Sequence, residues 1–171
     1  MTIAQVDAEA ENSKALAKEQ GVSSYPTIKY FKKGTTEPLP YEGARAEGDF
    51  VEFLNTNAGT HRAVGGGLNA VGGTIEALDT IVSNSKGVYA TALEQLKKAS
   101  EGLQDKYAQY YVKVAEKSSK NEGYAAKEYK RLQGLVAKGN LAAEKLDDLV
   151  SRSNILKKFL PVNDEEEKSE L

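Results

Sequence analysis

The sequence predicts an α+β protein in two parts, a β-α-β-β-α unit followed by an all-α bundle of about five helices. Three observations carry this expectation. Residues 1–60 mix short β-branched and aromatic runs with turn residues and two helical stretches. Residues 61–73 contain five glycines and read as a flexible linker. From Thr74 to Leu160 there is no proline, and apolar residues recur with the 3.6-residue period of a helix. Pro161 then opens an acidic tail, residues 161–171. The expected domains are therefore 1–60, the linker 61–73, the helical domain 74–160 and the tail.

In order along the chain, Ile3-Ala4-Gln5-Val6 reads as a short buried strand. Asn12 to Gln20 reads as a helix, with Asn12 as N-cap and Gly21 as its stop. Thr27 to Phe31 is β-branched and aromatic, a second strand. Lys33-Gly34 turns the chain towards a third strand near Leu39 to Glu42. Gly48 to Asn57 is a helix with Phe50, Phe53 and Leu54 on one face. Beyond the linker, Thr74 caps a helix carrying Ile75, Leu78 and Val82. Further stripes follow: Tyr89, Leu93, Leu96; Tyr107, Tyr110, Tyr111, Val114; Ala125, Tyr129, Leu132, Val136; and Leu146, Leu149, Ser153, Leu156. Asn121 and Asn140 sit where N-caps belong, and Gly139 where a helix stop belongs. Each stripe needs a partner face, so the helices should pack as a bundle.

Composition narrows function. Lys plus Arg (23) nearly balances Asp plus Glu (25), so there is no bulk field to recruit nucleic acid. No apolar run approaches the ~20 residues of a transmembrane helix, and no membrane insertion is expected. The first residues, Met-Thr-Ile-Ala-Gln-Val-Asp, lack the basic and apolar regions of a signal peptide. There is no cysteine and one histidine, His61, which leaves no thiolate chemistry and little scope for a metal. Neither a metal nor a cofactor is expected, and His61 is expected to play no chemical role.

The most specific motif is Gly21-Val22-Ser23-Ser24-Tyr25-Pro26-Thr27-Ile28-Lys29-Tyr30-Phe31. A proline opening a buried strand is unusual because it removes a ladder donor. Taken alone it marks a rigid turn, cis or trans. With β-α before it and β-β-α after it, the run resembles the second half of a thioredoxin domain of the protein disulfide isomerases. The resemblance implies that the Tyr25–Pro26 bond is cis and that Tyr25 and Pro26 offer backbone and surface to an extended substrate. Tyr41-Glu42-Gly43-Ala44-Arg45, followed by Asp49-Phe50 and Phe53, resembles the same family. There it implies that Arg45 lowers the pKa of a buried active-site cysteine. With no cysteine present, Arg45 is expected to be a solvated loop residue.

Gly59-Thr60-His61-Arg62, Tyr107–Lys117, Tyr124–Leu132 and Arg152-Ser153-Asn154-Ile155-Leu156 resemble the all-helical D domain of fungal and plant isomerases of the endoplasmic reticulum (ER). The tail Lys168-Ser169-Glu170-Leu171 differs from the Lys-Asp-Glu-Leu retention signal at one position. The resemblance thus implies a truncated thioredoxin-like unit beginning at the third strand, lacking the dithiol, ahead of a D domain. Its setting would be the ER lumen, reached by a full-length protein. Its partners would be unfolded or partly folded secretory proteins and the retention receptor. The tyrosines Tyr107, Tyr110, Tyr111, Tyr124 and Tyr129 are expected in the core rather than on a peptide-binding surface. Three functions stay open: a cysteine-free substrate-binding or escort module, an isomerase active only with a portion carrying Cys-x-x-Cys, and an inert spacer or dimerisation bundle. A remnant with an open sheet edge also invites homodimers.

Overall fold

The computed structural model describes residues 2–161. The expected retention residues Lys168, Ser169, Glu170 and Leu171 lie outside the described residues. The chain divides into two compact units, Met1–Ala58 and Gly59–Leu171.

The first unit contains α1 (Lys14–Glu19), β1 (Lys29–Phe31), β2 (Pro38–Pro40) and α2 (Glu47–Ala58). The two strands pair antiparallel with Tyr30 opposite Leu39. They are shorter than the β-branched runs suggest, and prolines bound β2 at both ends, where each lacks a ladder donor. Ile3–Val6 forms no strand, against the sequence expectation. Strand structure needs a neighbour to satisfy its backbone, and among the described residues β1 and β2 pair with each other alone. Ile3 is consequently 87% exposed and Val6 54%. The helix expected from Asn12 begins after Ser13, whose side chain makes no capping hydrogen bond.

What holds this unit is a small aromatic cluster. Tyr41 stacks on Phe50 at 4.7 Å and meets Phe53 edge-on at 4.9 Å, while Tyr30 meets Phe53 edge-on at 6.1 Å. Phe50 and Phe53 share a face of α2 through their i, i+3 spacing, as the sequence suggests. Such pairs prefer these edge and offset geometries, worth about 0.5–1.5 kcal/mol each beyond their burial. Phe31 alternates to the other side of β1 and is exposed.

The described residues of the second unit form five helices: α3 (Glu76–Asn84), α4 (Tyr89–Ser100), α5 (Ala108–Lys120), α6 (Tyr124–Ala137) and α7 (Ala143–Lys158). Their apolar stripes converge on one core around Leu78, Leu96, Tyr111, Val114, Leu132, Ile155 and Leu156. Tyr107, Tyr110 and Tyr111 are buried in it, and Tyr124 and Tyr129 pack against it. Helix α4 packs chiefly on α5 and α6 chiefly on α7, while α3 lies against both α4 and α7. Helix α7 is buried on more than one side, including Ser151, Ser153 and Asn154.

Several caps differ from expectation. Asn121 closes α5, and its side-chain carbonyl accepts the N–H of Gly123, so it serves the turn rather than the start of α6. Asn140 sits in the loop at φ 55° and Ala142 precedes α7. Thr74 donates its hydroxyl to Val71 O, and Ile75 precedes α3. Gly139 does follow α6 in the left-handed region, at φ 67°. Asn and Gly both tolerate that region, which explains how an N-cap signal and a turn signal are confused.

Candidate functional site

The Tyr25–Pro26 turn is pinned at both ends. Helix α1 ends in a paired-bond stop: Gly21 N–H donates to Lys18 O (3.0 Å) and Val22 N–H to Ala17 O (2.9 Å). That stop requires a left-handed residue, which Gly21 supplies at φ 61°. On the far side Thr27 Oγ1 donates to Ser24 O at 2.6 Å, and Lys29 Nζ donates to Gln20 O at the end of α1. The Tyr25–Pro26 bond is cis, as the resemblance implies. Between those anchors Tyr25 is 61% exposed. Ile28, Phe31 and Leu39, close along the chain or across the hairpin, are exposed large apolar residues as well.

Arg45 lies on the loop before α2, and its side chain is exposed. The loop is built around Tyr41, whose hydroxyl donates to Ala44 O. A Cβ at Gly43 would come within 2.7–3.0 Å of the Tyr41 ring and hydroxyl, so a side chain there requires the ring to shift. Asp49 accepts the Ala46 N–H at 3.0 Å and closes the first turn of α2. Partial desolvation, with the Asp49 and Glu52 carboxylates nearby, pushes the Tyr41 hydroxyl above its ordinary range. Tyr25–Pro26 and Arg45 thus occupy two separately braced loops.

The chemistry of the second unit is structural. Tyr111 accepts the Ile75 N–H at 3.0 Å and donates to Asp79 at 2.5 Å. Lys158 pairs with the other Asp79 oxygen at 3.2 Å. Tyr89 donates to Phe159 O at 2.7 Å. Burial pushes the Tyr89, Tyr110 and Tyr111 hydroxyls up, so they stay protonated at physiological pH, Tyr89 and Tyr111 as donors and Tyr110 with no hydrogen-bond partner among the described residues. Among the described residues no cluster of His, Asp or Glu offers a metal site.

Comparison with known proteins agrees with these two halves. Residues 73–159 match the family model described as endoplasmic reticulum protein ERp29, C-terminal domain, and residues 1–56 match thioredoxin. Over all 171 residues the chain is 57% identical to protein disulfide-isomerase tigA of Aspergillus niger.

The chain belongs to the protein disulfide isomerases that carry this helical domain.

Protein disulfide-isomerase erp38 of Neurospora crassa is 50% identical across the whole chain. A probable protein disulfide-isomerase A6 of Medicago sativa is 35% identical over 93% of it. The chain spans about half the length of these relatives, 47%, 48% and 45% respectively. The sequence contains no cysteine and joins a thioredoxin-like stretch to a helical core.

Sequence reasoning located both loops of the first unit. It named Arg62 and Asn154 only within longer motifs and did not single out Asp147; the structure pairs Arg62 with Asp147 and Asn154 with Asn69, each across 85 residues of chain. Asn154 sits among Arg152, Ser153, Ile155 and Leu156, and its partners could not be read from spacing.

Proposed function

We propose that this chain is the client-contacting part of an ER disulfide isomerase acting in oxidative protein folding. The contact surface is the Tyr25–Pro26 turn with the exposed Ile28 next to it along the chain, and the clients are unfolded or partly folded secretory chains. The observation that carries this reading is the exposed Tyr25 on a turn braced from both sides. A rigid, exposed tyrosine offers contact area at low entropic cost. The buried tyrosines of α5 leave that role to the first unit.

The redox step belongs elsewhere. Thiol–disulfide exchange runs through a mixed disulfide, which Ser, Tyr and Lys cannot form. With no cysteine, this chain supplies binding and no turnover. Arg45 would act on a thiol only if one were brought to its loop. Lys168 to Leu171 would keep the protein in the ER lumen through the retention receptor.

Fluorescence anisotropy with a labelled, cysteine-blocked unfolded peptide tests the binding reading on the full chain. Binding should weaken at least about tenfold in Tyr25→Ala, the scale of a lost aromatic anchor. Equal affinity of wild type and Tyr25→Ala would remove the turn from the contact surface. Insulin reduction by the same preparation should stay at the blank rate, and turnover above it would refute the division of labour.

A further inference from the structure

We infer that residues 59–73 form a reversible clasp latched onto α7 rather than a free linker. The latch is built from one face of α7, where Asp147, Ser151 and Asn154 stand at i, i+4 and i+7. Asp147 accepts both guanidinium N–H groups of Arg62, at 2.9 and 2.8 Å. This is a bidentate pair with fixed geometry. One turn and more along the helix, the Asn154 amide donates to Asn69 O and to Gly72 O, each at 2.9 Å. Asn154 is 8% exposed, so those bonds are shielded from water. Between them, Gly73 passes Ser151 so closely that any Cβ there would collide with the serine, and its φ of 81° favours glycine independently.

The clasp also has internal order. Arg62 and Leu68 form an antiparallel bridge, and Asn69 N–H donates to His61 O at 2.9 Å. The tip is Gly65-Gly66-Gly67, all at positive φ, with Gly66 N–H donating to Ala63 O at 3.2 Å. The glycines therefore serve a tight hairpin and a close approach to α7. Among the described residues Gly72 is the first that is buried.

A latch of this kind is reversible. The Arg62–Asp147 pair is about half exposed on the arginine side, so salt weakens it.

Trypsin digestion of the full chain reads the latch at the Arg62–Ala63 bond, with the exposed Arg45–Ala46 bond as internal reference. In wild type, cleavage after Arg62 should be at least about tenfold slower than after Arg45, as expected for a bond that must open locally first. Asp147→Asn should bring the two rates together, and raised salt should move wild type the same way. Hydrogen exchange at the Asn69 amide should speed up in Asp147→Asn and in Asn154→Ala. Should Asn154→Ala lose helix by circular dichroism, Asp147→Asn, on the half-exposed side of α7, decides alone. Equal cleavage after Arg62 and Arg45 in wild type would overturn the clasp, as would an Asn69 exchange rate indifferent to Asp147→Asn.

Discussion

The two units spend their aromatic residues differently. In the first, Tyr30, Tyr41, Phe50 and Phe53 meet one another while remaining partly exposed, and no described residue before Gly72 is buried. In the second, Tyr111 is fully buried with its hydroxyl satisfied by Ile75 and Asp79. The contrast follows from where backbone bonds go. A helix closes its own ladder and needs a neighbour only for its apolar stripe, so five stripes can complete a core among themselves. A strand needs another strand at each edge, and two paired strands with a covering helix make a marginal unit.

The sharpest way to break this comparison is to cut into each core separately. Leu156→Ala, at a position with no exposure, should destabilise the helical unit by about 2–5 kcal/mol. Phe53→Ala should leave that unit's thermal midpoint unchanged while loosening β1, β2 and α2. Thermal unfolding followed by far-ultraviolet circular dichroism distinguishes the two. A single transition lowered alike by both substitutions would mean the units share one cooperative core.

A comparable effect is expected at high pH. Tyr110 and Tyr111 are pushed up first by burial, with Asp79 and Asp105 adding to Tyr111 and Glu128 adding to Tyr110 against Arg152 and Arg131. Their hydroxyls ionise later in the fold than in the unfolded chain. The stability they contribute is therefore complete below the unfolded value near pH 10 and is lost as pH rises through the folded values. The slope is about 1.4 kcal/mol per pH unit for each tyrosine. Denaturant midpoints for the helical unit should fall above about pH 10, and a flat profile there would contradict the buried placement of both rings.

Smaller effects sharpen the contrast. Tyr111→Phe should cost about 1–3 kcal/mol by leaving the Ile75 N–H without its partner. Urea midpoints measure it, and a neutral result would mean that water replaces the hydroxyl. At the far end, Tyr25→Ala should change stability by less than about 0.5 kcal/mol while weakening peptide binding. A loss of stability as large as that of a core residue would make Tyr25 structural.

Much of the helical unit was legible because its signal is local. Leu78–Val82, Tyr89–Leu96 and Tyr107–Val114 each reveal a face within three turns, and the tyrosines of α5 fell in the core as expected. The Tyr25–Pro26 turn was legible from its motif. The strand at Ile3–Val6 was misread because β-branched composition reports a preference, while a strand exists only if something lies beside it. The caps at Asn121 and Asn140 were misread because the same short amides that start helices also hold turns.

The sequence by itself determined the division into an α+β part and a helical part, the helices of the second part, the family, and the exclusion of thiol chemistry. Each of these rests on residue identity or on periodicity within a few turns. Only the tertiary structure decided which strands find partners, which tyrosine stays exposed, and where the glycine-rich segment lies. Those depend on groups brought together from far apart in the chain. Arg62 with Asp147, and Asn69 with Asn154, each meet across 85 residues, a distance no local pattern can record.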